Sequence, residues 1–308
     1  MKVIGIGNAI TDVICKVTDE FLEKNLLKKG TMKLIDKDEF FKLLSYLNIE
    51  ETISGGSVAN SIVALSQLGN DVGFIGKIND DELGGKYETG LKKENVKFFY
   101  KKKIEKIKTG TCLILITPDY ERTMCAYLGI AGKIDETDIN ESLITKSQIT
   151  FLEGYLLDKG GPKKAFEKAI KFSNITAISL SDEFCVERHK NYFLDLVKNK
   201  IDIVFGNEKE FLSLINAKSF DEVINFSKIL NKEIIITRGK SGAITIFDSK
   251  IFKCNAKENL KIKDLTGAGD LFAAGYLHHK INGGSIQERL EKGTELSSEI
   301  IQKIGARL

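Results

Sequence analysis

An excess of charge of either sign is the first thing this chain lacks: 46 basic and 43 acidic residues leave a formal net charge of +3 over 308 residues. So small an imbalance offers no electrostatic footprint for nucleic acid or an anionic membrane surface. Long hydrophobic runs are missing too. The longest apolar stretches are too short to span a bilayer, and the first residues enter a β-rich run after a single Lys2, unlike a signal peptide. A cytoplasmic protein is therefore expected. Histidine is scarce, at three residues. His278 and His279 are adjacent on an expected helix and so point to different faces, and His189 is far from any Cys or His partner, so no metal role is assigned to them. The five cysteines, Cys15, Cys112, Cys125, Cys185 and Cys254, are scattered, odd in number and without the close pairing of a zinc or redox motif, which fits a reducing compartment.

What remains is ordinary for a globular domain: 42% hydrophobic and 29% charged residues, with no biased or repetitive tract, so every part is expected to fold. The length permits one large α/β body with an appendage. From Val72 onward, β-branched runs alternate with amphipathic stretches, the pattern of parallel strands joined by right-handed crossovers. Strands are predicted at Val3 to Gly7, Val72 to Gly76, Ile149 to Glu153, Ala177 to Leu180, Ile201 to Phe205 and Ile234 to Thr237. A crossover helix is predicted between Gly161 and Asn174 with Pro162 at its first position, and Ser285 with Glu288 forms a capping box that opens the last helix. Two places break the alternation. Asp12 to Val17 with Met32 to Ile35, and Thr111 to Thr117 with Thr123 to Leu128, read as antiparallel pairs, the second a hairpin about Pro118-Asp119-Tyr120-Glu121. Residues 12–17, 31–36 and 109–128 are thus expected to form a small sheet that covers a cleft as a lid and excludes water from it.

Two phosphate-binding devices are absent. Gly5-Ile6-Gly7-Asn8 follows a strand, but Ile10 stands where a dinucleotide fingerprint needs its third glycine, and Thr11 to Val17 continues as strand instead of helix. Gly239-Lys240-Ser241 has Ile234 where a G-x-x-x-x-G-K-[ST] loop needs its first glycine.

The segment Asp264-Leu265-Thr266-Gly267-Ala268-Gly269-Asp270 supplies another device, a side-chain-poor turn running into a helix with the apolar stripe Ala268, Leu271, Phe272, Gly275. The N–H groups of residues 267–270 are those a helix start leaves unpaired, so they form a cup for an anion, and two glycines let a phosphate come close. Asp270 beside that cup can accept a hydroxyl proton while the cup steadies charge on a transferred group; the plain alternative makes Asp264 or Asp270 a helix cap. Asn8 and Asp12 end the first strand, where open α/β sheets place ligand groups, with Asp12 a hydroxyl acceptor. Gly55-Gly56-Ser57-Val58-Ala59-Asn60 precedes a helix, and Ser57 is either its cap or, with bare glycine backbone and the Asn60 amide, part of a site. Asn207-Glu208-Lys209-Glu210 opens a helix after a strand and offers oxygen ligands suited to Mg²⁺, or simply a cap at Asn207. Thr237-Arg238-Gly239 ends the next strand and lines a candidate nucleotide site.

In order and spacing, Gly55 to Asn60, Asn207 to Glu210 and Asp264 to Asp270 together resemble the ribokinase-like (pfkB) family of sugar and nucleoside kinases, and Gly76 to Gly84 resembles the continuation of the family's first signature. The likeness covers nearly the whole chain. It implies one domain over residues 1–308, an α/β three-layer sandwich with a mostly parallel central sheet and a small β-sheet lid. It also implies Asp270 as the base and Gly267, Ala268 and Gly269 as the anion hole. Asp12, Gly55, Gly56 and Asn60 match positions that hold sugar hydroxyls. Asn207 and Glu210 match an N-x-x-E element that influences magnesium and phosphate, with Glu210 reaching the metal through water, while Thr237 and Gly239 would line the ATP site. Asp264 and Thr266 fall where potassium-activated members hold a monovalent cation. The N-x-x-x-D spacing of Asn8 and Asp12, and Ser57 in place of the lysine of the ribokinase G-G-K-G-A-N segment, resemble the adenosine kinases of the family. So do Thr109 to Cys112 with Arg122, which places Arg122 on the transferred phosphate, and Tyr155 and Phe184, which would stack on a purine or else pack in the core. Ile10, Thr11 and a shorter lid depart from the eukaryotic adenosine kinases.

The activity this implies is ATP-dependent phosphorylation of the 5′-hydroxyl of a ribonucleoside, adenosine to AMP, with Mg²⁺ and a place for K⁺. A kinase for ribose or fructose is the alternative within enzymes. A non-catalytic nucleoside or sugar sensor on the same fold is the alternative outside them. Partners would be the small-molecule acceptor and ATP, with no nucleic acid and no membrane, and the chain would act as monomer or homodimer.

Overall fold

The computed structural model describes residues 1–157 and 161–308. Apolar β-branched runs form strands buried on both faces, as a parallel sheet between helix layers requires. Val3–Ile6, Val72–Ile75 and Ile149–Glu153 are buried at every residue. From edge to edge, the nine-stranded sheet runs Lys97–Phe98, Val72–Ile75, Val3–Ile6, Ile149–Glu153, Thr176–Ser179, Ile203–Asn207, Glu233–Thr237, Ala243–Phe247 and Lys250–Cys254. The first seven are parallel, Ala243–Phe247 turns back antiparallel to them, and Lys250–Cys254 pairs antiparallel with Ala243–Phe247. All six predicted strands are present, each within two residues at its ends. Helices Ser57–Gln67, Ala268–Ile281 and Ile286–Ile300 bury one face of the sheet, and helices Lys163–Phe172, Glu183–Arg188, Lys190–Asn199 and Glu208–Ile215 bury the other, completing three layers. Pro162 sits just before its helix rather than inside it, and Ser285 with Glu288 forms the expected capping box.

Val3–Ile6 is the strand from which the sheet grows in both directions, toward Val72–Ile75 on one side and Ile149–Glu153 on the other. At such a switch point the connections diverge, so a crevice opens at the carboxyl ends of these two strands.

A second, five-stranded sheet runs Met32–Leu34, Arg122–Tyr127, Gly110–Ile116, Ile10–Lys16, Glu51–Ser54. The hairpin of Gly110–Ile116 with Arg122–Tyr127 is as predicted. The pairing of Asp12 to Val17 with Met32 to Ile35 is not. Ile10–Lys16 pairs parallel with Gly110–Ile116 and antiparallel with Glu51–Ser54, while Met32–Leu34 lies parallel to Arg122–Tyr127. The reason is ladder length: Gly110–Ile116 matches all 7 residues of Ile10–Lys16, whereas Met32–Leu34 offers only 3. That register also places Val13, Cys15, Leu113 and Leu115 on one face against Phe40 and Leu43.

Helix Ala268–Ile281 carries the predicted base at its start, so its seating matters most. Gly275 lies so close to the last helix that an added Cβ would stand 2.5 Å from Lys292 O. Further along, the Tyr276 hydroxyl donates to Glu233 Oε1, Lys280 Nζ meets Glu233 Oε2 at 2.6 Å, and Arg289 Nη1 meets Glu233 Oε1 at 2.9 Å. Glu233 is only 3% exposed, so its removal leaves the buried Tyr276 hydroxyl and two partly exposed cations without their shared carboxylate. Glu233→Ala is expected to lower unfolding free energy by about 3–5 kcal/mol, read from the denaturant midpoint; a loss below about 1 kcal/mol would mean the helix is seated by apolar packing alone.

Candidate active site

The crevice is floored by Glu153, the last residue of its strand and 1% exposed. Glu153 Oε1 accepts from Asn8 N at 3.2 Å and Asn8 Nδ2 at 3.0 Å, and Oε2 accepts from Val58 N at 3.0 Å. One carboxylate therefore fastens the end of the first strand to the first turn of helix Ser57–Gln67. Even so, burial pushes Glu153 up to about 7, against these hydrogen bonds. Sequence motifs did not reveal this residue; its one signal is a charge closing an otherwise uncharged strand.

Asp270 stands opposite. The helix it belongs to is capped by Gly267, in the left-handed region at φ 79° with no side-chain hydrogen bond, so neither Asp264 nor Asp270 is the cap. An added Cβ at Gly269 would meet nothing within 4 Å, which leaves open space in front of the helix start. Ser57 Oγ donates to Asp270 Oδ1 at 2.6 Å and Asn60 Nδ2 to Oδ2 at 3.0 Å. Ser61 Oγ holds the Asp270 carbonyl at 2.8 Å. Ser57 thus serves the site, since its helix has Gly56 at the cap without any side-chain bond. Loss of hydration raises Asp270 to about 6, with Ser57, Asn60 and the charge of Arg307 opposing the rise.

Asp12 comes from the small sheet. Burial lifts its carboxyl to about 7, Arg307 and Arg122 pull it down, and the charge of Asp270 pushes it up. Its carboxylate packs where a Cβ on Gly55 would be, and Gly56, at φ 100°, packs against Asn8 O; both positions require glycine. Asn8, Asp12, Gly55, Gly56, Asn60, Gly267, Ala268, Gly269 and Asp270 are therefore gathered at one crevice from three distant stretches of chain.

Asp264 and Arg122 meet each other. Arg122 Nη1 lies 2.9 Å from Asp264 Oδ2, which also accepts from Gly305 N at 2.9 Å, while Oδ1 accepts from Thr266 N at 2.9 Å and Thr266 Oγ1 at 2.6 Å. Burial alone would raise Asp264, but these bonds and the Arg122 charge hold it below the usual carboxylate range.

Along the sheet, Asn207 and Glu210 form a complete capping box: Asn207 Oδ1 accepts from Glu210 N at 2.9 Å and Glu210 Oε2 accepts from Asn207 N at 3.0 Å. Burial drives Glu210 up to about 7. Thr237 ends the neighbouring strand, and Gly239 follows at φ 55° with open space where a side chain would be. Between them, Arg238 pairs with Glu208 at 2.7 Å and lies over the Phe220 ring at 3.8 Å. Tyr155 links the two halves of the crevice. Burial raises its hydroxyl well above the usual value, and the negative charges of Asp182, Glu210 and Asp270 add to this. Its ring lies 6.4 Å from that of Phe184, and both pack against the core. Among the described residues no group of three His, Cys, Asp or Glu side chains forms a metal cage, and no helix is long and apolar enough to cross a membrane.

Residues 31–308 match the profile of the pfkB family carbohydrate kinases. Adenosine kinase 2 of Arabidopsis thaliana is 26% identical over 98% of this chain and 94% of its own. The 5-dehydro-2-deoxygluconokinase of Clostridium perfringens is 27% identical over 80% of this chain and 78% of its own. Among solved structures, the adenosine kinase of Sinorhizobium meliloti superposes with a TM-score of 0.91 at 33% identity, covering 100% of this chain and 95% of that one. A probable sugar kinase of Rhizobium etli superposes equally well, at 0.91 and 32% identity, covering 99% and 94%.

The charge state of the crevice follows from its own residues. Asp12, Glu153, Glu210 and Asp270 all bind protons more tightly folded than unfolded. Their contribution to stability is complete below the ordinary carboxylate range and is lost as pH rises through about 6 to 7. His278, which burial lowers, opposes this with a single group. The thermal midpoint of the unliganded protein should therefore rise as pH falls from about 7.5 to about 5.5, and Asp12→Asn should flatten that rise. A midpoint that falls steadily over this range would contradict the burial of these carboxylates.

Proposed function

Because the chain belongs to the pfkB family of carbohydrate kinases, we propose that the alcohol to which it transfers phosphate from ATP is the 5′-hydroxyl of a ribonucleoside, adenosine first, with Asp270 as the base. The observation that carries this reading is the Asp270 carboxylate at the start of a helix capped only by glycine, partly dehydrated and gripped by Ser57 and Asn60. At about 6 its affinity for a proton is well matched to work near neutral pH.

In this reading the acceptor lies over Gly55 and Gly56, with Asn8, Asp12 and Asn60 on its ribose hydroxyls and its base against Tyr155 and Phe184. Asp270 takes the hydroxyl proton as the acceptor oxygen bonds to phosphorus and the bond to the departing ADP breaks. The N–H groups of Gly267, Ala268 and Gly269 meet the charge of the transferred group, so positioning and electrostatics do most of the work. Arg122, on the small sheet beside Asp12, is a cation that closure of this lid would bring to the phosphate.

Asn207 and Glu210 suit Mg²⁺ as outer partners, since a magnesium ion that arrives with nucleotide phosphates keeps several waters and needs few protein carboxylates. When bound, it would neutralise phosphate charge. Potassium fits less well at Asp264, where four donors fill about four lone-pair positions of the carboxylate. Scattered cysteines, four of them buried, support a reducing, cytoplasmic setting.

A free-sugar kinase is the second reading, favoured by the equal structural likeness to the Rhizobium etli probable sugar kinase. Assays of adenosine, inosine, ribose and fructose with ATP separate the two: adenosine is expected to be phosphorylated most efficiently, and activity on free sugars alone would overturn the nucleoside reading. Asp270→Asn is expected to bind acceptor normally and to lose turnover about 10²- to 10⁴-fold. Parental turnover should decline as pH falls below about 6, where Asp270 gains its proton. Near-normal turnover of the Asn variant would remove Asp270 from the role of base.

A further inference from the structure

Motif reasoning left unused the segment that follows the last helix, Ile286–Ile300. Gly305 N donates to Asp264 Oδ2 at 2.9 Å, and Ala306 lies against Gly267, where an added Cβ would stand 2.7 Å from Ala306 Cα. The segment therefore threads along the anion-cup turn and delivers Arg307 into the crevice. Arg307 Nε donates to Asn60 Oδ1 at 3.3 Å and Nη1 to Ser54 Oγ at 2.9 Å. Nη2 is buried without a protein acceptor. The same guanidinium lowers the carboxyls of both Asp12 and Asp270.

Its effect on Asn60 is specific. A carboxamide has one accepting and one donating end of nearly equal shape, and its neighbours decide which way it points. Arg307 can only donate, so it selects Oδ1 and turns Nδ2 toward Asp270 Oδ2, 3.0 Å away. The second arm, on Ser54, holds the residue just before Gly55, whose backbone packs on Asp12. A planar fork can hold both partners at once; a lysine ammonium on a flexible stem cannot hold them in the same fixed geometry.

We propose that Arg307 is a positioning residue for phosphoryl transfer, which orients the Asn60 amide toward Asp270 and fixes the Ser54–Gly55 turn over Asp12. The proposal rests on Asp270 being the base.

Four proteins test it: the parent, Arg307→Lys, Arg307→Ala and Asp270→Asn, each assayed with the alcohol the parent phosphorylates best. Arg307→Lys retains the charge and should keep the parental thermal midpoint, yet lose about 10- to 100-fold in kcat, the scale of one charged hydrogen bond. Its KM for acceptor should change and its KM for ATP should not. Arg307→Ala should lose at least as much and recover part of it with guanidinium ion at a sub-denaturing concentration. The groups facing Asp270 are Asp12, Glu153, Tyr155 and Arg307. With the only cation among them gone, the acid limb of the Ala variant's pH profile should move to higher pH. Parental kcat in Arg307→Lys, or a loss in Arg307→Ala that tracks unfolding and ignores guanidinium, would overturn the positioning role while leaving Asp270 as base. Parental turnover in Asp270→Asn would instead overturn the base assignment and this proposal with it.

Discussion

Dehydration of carboxylates is the constraint on which the rest of the structure depends. Asp12, Glu153, Glu210 and Asp270 all sit where burial raises their proton affinity, and a carboxylate kept from water must be met by donors or by cations. Three are met from another part of the chain: Glu153 by Asn8 and Val58 N–H groups, Asp270 by Ser57 and Asn60, Asp12 by the charges of Arg307 and Arg122; Glu210 is met locally, by Asn207 of its own capping box. Close approach of Asp12 explains glycine at position 55, and positive φ together with close backbone neighbours explains it at 56 and 267. Acids held poorly hydrated at neutral pH weaken the fold, and a site that works by proton transfer is where such a cost is tolerated.

This chemistry was partly legible in the sequence, and the boundary is physical. The parallel strands and crossover helices could be read because each is written within a dozen residues as apolar periodicity. The Gly267–Asp270 turn and the Gly55–Asn60 loop were readable for a similar reason, since each is a local backbone device. Glu153 was hidden because its partners lie 95 and 145 residues away and its own strand looks like any buried strand. Arg307 was hidden more deeply, by 247 residues from Asn60 and by a segment with no motif of its own. The small sheet misled in the same way: the strands could be found, but their partners were chosen by ladder length and a shared apolar face, which no single segment records.

Acceptor choice is a different kind of question from fold. Two structures superpose on this chain with the same TM-score of 0.91, one an adenosine kinase and one a probable sugar kinase. The scaffold is therefore compatible with either acceptor, and discrimination must reside in the few side chains that line the crevice. In the nucleoside reading proposed above those are Asn8, Asp12, Tyr155 and Phe184.

Asp264 joins the remaining parts. Its carboxylate holds Gly305 of the segment that brings Arg307, Thr266 of the anion-cup turn, and Arg122 of the small sheet. Three elements from remote stretches of chain thus share one anion, and only one of the three contributes a side-chain cation. If Arg122 moves to a phosphate, Asp264 keeps three hydrogen bonds, enough to leave the turn and the Arg307 segment in place. The cation could then be exchanged between an internal carboxylate and a substrate anion of the same sign, at a cost set by the difference between two charge-assisted pairs instead of the loss of one. In the proposed function, that arrangement would let the small sheet respond to a phosphate while Asp270 and Asn60 remain where they are.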